Sequence, residues 1–120
     1  MSNIWGTTLD IVDRTSTLNK AQSRPNADGT YTFVLSKQDP GVHNWLDTCG
    51  MSAGMLTLRM AEFPDRRPLP GLAASSEVLA LDDLRSRLPE GTTWVTAEQR
   101  ARQRAERAAG YLRRLPEVVR

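Results

Sequence analysis

The chain has 120 residues, the size of one ordinary domain, and 39% of them are apolar, which limits it to a modest core. A formal charge of +2 is too small by itself to imply a nucleic-acid partner. The single cysteine, Cys49, excludes an internal disulfide and fits a reducing compartment, and no apolar run approaches the ~20 residues that span a bilayer.

The opening MSNIWGTTLD has neither a basic n-region nor an apolar h-region, so no secretory leader is expected and the protein is predicted to be cytoplasmic. Ile4 to Val12 partly alternates, which places Trp5, Thr7, Leu9 and Ile11 on one face of a predicted strand. The next stretch, DRTSTLNKAQSRPNADGT, is polar and broken by Pro25, and its Asp28-Gly29 pair signals a turn. Thr30 to Lys37 is the clearest strand: Tyr31, Phe33 and Leu35 face one way, Thr32, Val34 and Ser36 the other. A third strand is predicted from Gly54 to Phe63, with Leu56, Leu58 and Met60 on one face and Met55, Thr57, Arg59 and Ala61 on the other. The segment PDRRPLPGLAAS, with three prolines and a glycine, reads as a surface linker.

Beyond it the period changes from two to about 3.6. Leu79 to Leu88 reads as a short helix stopped by Pro89, and TAEQRARQRAERAAGYLRRL as a longer one opened by a Thr96–Gln99 capping box. Its predicted packing stripe is Ala97, Ala101, Ala105, Ala108, Leu112 and Leu115. The organisation expected is therefore a β unit over residues 1–63, a Pro/Gly-rich linker over 64–78 and a helical tail over 79–120.

Between the second and third predicted strands lies DPGVHNWLDT, Asp39 to Thr48, which holds the only histidine, a tryptophan and two aspartates. Asp39-Pro40-Gly41 suits a β-turn, because proline fixes φ at the second position and glycine tolerates positive φ at the third. The rest of the loop is richer than a connection requires. His43 can act as a general base with Asp47 or Asp39 orienting its ring, or serve as a hydrogen-bonded structural residue. Trp45 is either a core anchor or a stacking surface for a sugar-like ligand. Asp47 is expected to lock the loop by pairing with Arg59 or with backbone amides near Gly50. Cys49 is a lone thiol, read as a small packed residue rather than a nucleophile. One His and one Cys make no zinc set, and no phosphate loop, GxSxG, CxxC or HExxH occurs, so neither metal nor cofactor is expected. Arg100, Arg102, Arg104, Arg107, Arg113 and Arg114 on the last helix form a face that can attract phosphate or be a solvated surface; the scarcity of stacking aromatics there disfavours nucleic acid.

The run ADGTYTFVLSKQDPGVHNWLDTCG followed by GMLTLR resembles the pattern DGxYTxVxSxxDPGxxNWLDTxGxxxGxxxxR of bacterial, often actinobacterial, proteins that carry domain-of-unknown-function family 1214. The likeness spans Trp5 to Arg59, and the tail from Asp83 is similar to the ends of those longer proteins. Asn44, Trp45, Leu46, Asp47, Gly50 and Arg59 match the pattern; His43 falls at a variable position. The resemblance implies no reaction. It implies a jelly-roll-like β-sandwich, in longer relatives preceded by at least one further strand.

The expected fold is thus mainly β with an α tail: a small jelly-roll-like sandwich followed by one or two helices. The expected function is a non-catalytic binding or assembly module, a subunit or part of a larger protein, that forms a homo-oligomer or joins a partner subunit. A small-molecule or carbohydrate-like ligand would be held by Asn44, Trp45 and Arg59. The alternatives are a hydrolase or lyase using His43 and Asp47, and a phosphate-binding last helix.

Overall fold

The computed structural model describes residues 1–73 and 75–116. Its regular elements are few. A 3-10 turn at Lys20–Gln22 precedes β1, Val34–Ser36, and β2, Trp45–Asp47. A second 3-10 turn at Pro64–Arg66 and a third at Leu81–Asp83 lead into α1, Leu84–Arg87, and α2, Ala97–Leu112, follows. The two strands pair in parallel, with Val34 opposite Trp45, Leu35 opposite Leu46 and Ser36 opposite Asp47.

This corrects the expectation of a mainly β jelly-roll sandwich: the described residues hold one two-stranded parallel sheet and two helices. The reason lies in local competition for backbone groups. In the first predicted strand the Asn3 side chain accepts the N–H groups of Trp5 and Thr7, each at 3.0 Å, and the Asp10 carboxylate accepts those of Val12 and Asp13, each at 2.9 Å. Side chains that capture nearby amides turn the chain back on itself and deny a ladder its donors. What survives is a single bridge, Ser2 to Thr8. In the third predicted strand only Met55 pairs, with Ser2, and Leu56 to Met60 stays exposed on both faces.

The stretch read as a loop supplies the centre instead. Among the described residues Val42, Trp45, Leu46 and Leu84 are the buried apolar ones, and three of these four belong to DPGVHNWLDT. The turn that starts it is closed by Asp39, whose carboxylate accepts the Gly41 N–H at 2.9 Å while Gly41 sits at φ 73°, a conformation that favours glycine. Val42 then bridges to Trp94, with His43 N–H donating to the Thr93 carbonyl and Val95 N–H to that of Gly41. That short antiparallel contact feeds directly into Thr96, which caps α2 by accepting the Gln99 N–H while the Gln99 side chain accepts that of Thr96. A second seam joins Ala27 N–H to the Glu90 carbonyl at 3.2 Å. It requires Gly91, since a Cβ there would stand 2.5 Å from the Ala27 nitrogen at a φ of 81°. Residues 79–112 are therefore knitted to residues 11–47 by backbone bonds as well as side chains.

The last helix packs on a face shifted from the predicted one. Of the predicted stripe, Ala97, Ala101, Ala105 and Leu112 are exposed and Ala108 and Leu115 half-buried, while Arg100, Gln103, Arg107 and Tyr111 turn inward. Among the described residues no helix is long and apolar enough to cross a membrane.

Candidate functional site

Two features converge on the loop from Asp39 to Thr48. One is a pair of arginine clamps, the other a cleft beside α2.

The first clamp is Arg100. Its residue is only 5% exposed, and its guanidinium forks onto Asp39 with Nε–Oδ2 at 2.8 Å and Nη2–Oδ1 at 3.1 Å. It also donates to the Val42 and His43 carbonyls and to the Gln103 side-chain oxygen, and it lies 5.0 Å from the centroid of the Trp45 ring. The second clamp is Arg14, which forks onto Asp47 at 2.8 and 3.0 Å. The same carboxylate accepts the Cys49 N–H at 2.8 Å, which holds Cys49 at φ 53°, and the Asp47 N–H donates to the Thr15 carbonyl. The expectation that backbone amides near Gly50 would hold Asp47 is met at Cys49. The expected cation is not Arg59, which is exposed and makes no ion pair among the described residues, but Arg14.

Asn44 and Trp45 are both buried and engaged. The Asn44 amide accepts the Arg24 N–H at 2.8 Å and donates to the carbonyls of Arg24 and Thr32 at 2.7 and 3.0 Å, which uses its whole capacity bar one lone pair. Trp45 Nε1–H donates to the Ser36 carbonyl at 3.1 Å, and the ring sits in the core under Arg100. The cavity beside Asn44 measures about 10 Å³, room for about one water and no substrate.

His43 places Nε2 at 3.0 Å from the Gln22 carbonyl, and the Gln103 amide lies 3.5 Å from the same nitrogen. No hydrogen bond joins it to Asp47, whose oxygens are occupied by Arg14 and Cys49. Nor does one join it to Asp39, which is held by Arg100. The hydrolase or lyase alternative thus has no paired base and orienting carboxylate behind it. Burial pushes the Cys49 thiol up, away from the reactive thiolate.

Burial also lowers the His43 pKa from its ordinary 6.5, against the bond to Gln22 that raises it. The unfolded chain therefore binds more protons than the folded one in the window just below 6.5. The resulting stability is fully present above the unfolded value and is lost as pH falls through the folded one. Urea denaturation at a series of pH values between about 7.5 and 5 should show the midpoint falling with acidity, and His43→Gln should flatten that slope. Equal slopes in the two proteins would show that the ring is solvated.

The cleft, of about 510 Å³, opens between α2 and the segment from Ile11 to Arg24. His43 and Gln103 lie at its lining, with Arg24, Arg107, Tyr111 and Arg114. No family model, curated protein or solved structure matches the chain. The site is therefore read from its own geometry. Among the described residues no group of three or more His, Cys, Asp or Glu side chains is placed to hold a metal ion.

Sequence reasoning singled out the loop and placed Arg100 on an arginine face of the last helix, but missed Arg14, the clamp that Arg100 makes on the loop, and the cleft. Arg14 lay in a polar stretch without periodicity, where nothing marks one arginine from another. Arg100 had a usable signal: Tyr111, the one aromatic of α2, shares a helix face with Arg100, Gln103, Arg104 and Arg107.

Proposed function

We propose that the protein is a non-catalytic assembly module that completes its small sheet against another protein chain, most simply a second copy of itself. The reading rests on one observation. Tyr31 to Ser36 alternates between exposed and half-buried as its sequence predicts, but the outward set is the apolar one: Tyr31, Phe33 and Leu35 are 38%, 39% and 47% exposed. Thr32, Val34 and Ser36 face the protein's own interior.

A strand normally turns its apolar side to the core. Here that side is open, and no strand among the described residues pairs with the outer edge of β1. An unpaired edge flanked by alternating apolar side chains is the substrate of strand addition, in which backbone bonds give affinity and the side chains give specificity. Met55, Leu56, Leu58 and Met60, all exposed, add apolar surface that four buried apolar side chains do not need for their own packing. A two-stranded sheet is marginal alone, so pairing would also stabilise the fold. The engagement of Asn44, Trp45 and Asp47 within the chain supports a scaffold role for the loop. A cytoplasmic setting suits the lone free cysteine, Cys49.

Light scattering after size exclusion should report a particle heavier than the 13.4 kDa chain. Phe33→Lys, a substitution at an exposed position, should convert it to monomer while the fold signal persists. A stable monomer in which Phe33→Lys changes neither mass nor melting temperature would sink the reading.

A further inference from the structure

The backbone groups at the outer edge of β1 face one way. Val34 N–H donates to the Asn44 carbonyl at 2.9 Å, and Thr48 N–H donates to that of Ser36. The Thr30 and Thr32 carbonyls likewise accept from the Asn26 N–H and the Asn44 side-chain amide. Alternate residues of a strand direct their backbone groups to opposite edges. Those of Tyr31, Phe33 and Leu35 therefore point away from β2. Neither Tyr31 nor Phe33 makes a backbone hydrogen bond among the described residues.

The chain holds a second unpaired stretch with the same pattern. Past the Ser2–Met55 bridge, the backbone of residues 56–62 makes no hydrogen bond among the described residues, and every residue in it is exposed. Its apolar side chains fall at every second position: Leu56, Leu58 and Met60, at 47%, 57% and 41% exposure. In its own chain this stretch pairs with neither β1 nor β2. It has the alternation of a strand and lacks a sheet.

We infer that residues 56–61 of one copy add as a parallel strand to the outer edge of β1 in a second copy, and that the exchange is reciprocal. This rests on the strand-addition reading above and names the segment that does the pairing. Setting Leu58 beside Phe33 brings Leu56 to Tyr31 and Met60 to Leu35, so three apolar cross-strand pairs form on the open side. Ala61 then lies beside Ser36, the last residue of β1. The added strand ends there for its own reason: Glu62 sits at φ 61° and turns the chain.

Charge chooses the direction. In the parallel register Glu62 meets Lys37 just past the two strand ends. Both are exposed, and neither makes an ion pair among the described residues; the Lys37 ammonium donates to the Ser52 hydroxyl at 2.5 Å. The antiparallel direction sets Lys37 beside Gly54 and Glu62 beside Gly29, so that neither charge meets its opposite. A contact of three pairs is small, and reciprocity doubles it. Each copy gives one strand and receives one, which is the geometry of an isologous dimer.

Light scattering after size exclusion, on full-length variants across a concentration series, tests this. Leu58→Lys should halve the particle mass as Phe33→Lys does, although the Leu58 backbone makes no bond within its own chain. Mixed one to one, the two variants should recover a dimer, because each keeps the surface that the other has lost. Lys37→Glu and Glu62→Lys should each weaken the dimer by about threefold or more, and the double variant should restore it. A dimer that persists in Leu58→Lys, while Phe33→Lys is monomeric, overturns this inference and leaves the strand-addition reading standing. A parent that is monomeric at micromolar concentration overturns both. A double charge variant no tighter than the singles overturns the parallel register.

Discussion

Arg100→Ala is expected to cost about 3–5 kcal/mol of stability, the range for breaking a buried ion pair by removing one partner. The side chain reaches from α2 into the loop and satisfies groups that water cannot reach. Its loss leaves the Val42 carbonyl without its guanidinium donor, opens a void under the Trp45 ring, and frees the Asp39 carboxylate that also closes the Pro40-Gly41 turn. Asp39 can recover some solvation, because 39% of its side chain is exposed; the guanidinium site, at 6%, cannot. For a domain at the low end of the usual range of about 5–15 kcal/mol, as a core this small implies, that loss leaves the variant close to unfolded at room temperature. Arg100→Lys should rescue little, since an ammonium is a point charge and cannot fork onto Asp39 while also reaching two carbonyls. Arg102→Ala, on the solvent side of the same helix, should stay within about 0.5 kcal/mol of the parent. Urea midpoints for the three variants decide the matter: a loss below about 1 kcal/mol for Arg100→Ala would mean that the clamp does not hold the loop.

The sequence marked the right segments and mis-assigned several of their partners, for reasons that can be stated residue by residue. The capping box at Thr96 and Gln99 was legible because it depends on four consecutive residues and nothing else. The alternation of Thr30 to Ser36 was legible for the same reason. Which side of that strand faces inward was not, because the answer depends on what lies across from it. Asn26, whose amide donates to the Thr30 and Thr32 hydroxyls, and Asn44, which takes the Thr32 carbonyl, give the polar side its inward partners. The first predicted strand failed because Asn3 and Asp10 captured amides two to four residues away, a local bond that hydrophobic periodicity does not register. Most of the predicted stripe of α2, Ala97, Ala101, Ala105 and Leu112, failed for an energetic reason. Alanine buries little area, whereas Arg100, Arg104 and Arg107 each reach a backbone carbonyl of an irregular segment that has no ladder to satisfy it. In a chain with so few strands, loop carbonyls are the groups most in need of donors, and arginine is the side chain long enough to supply them.

Asp47→Ala is the second large effect expected, about 2–3 kcal/mol, and it separates two accounts of what the loop is tied to. The carboxylate is the acceptor for Arg14 and for the Cys49 N–H, and its side chain is 4% exposed. Removing it orphans a backbone donor and releases Cys49 from the acceptor that supports its left-handed conformation. The loss stays below that of Arg100→Ala because 38% of the Arg14 side chain is already in water and can solvate when its partner goes. The reverse substitution is the more damaging one. Arg14→Ala leaves an ionised carboxylate buried with the Cys49 amide as its remaining donor, and an unpaired buried charge costs more than an unpaired exposed one. The order of urea midpoints should therefore be parent, then Asp47→Asn, which keeps an acceptor for Cys49, then Asp47→Ala, then Arg14→Ala. Arg59→Ala should lie with the parent, since that guanidinium is exposed and makes no ion pair among the described residues. If Arg59→Ala and Asp47→Ala fall together while Arg14→Ala is silent, the loop is locked to the third predicted strand and not to the segment before β1.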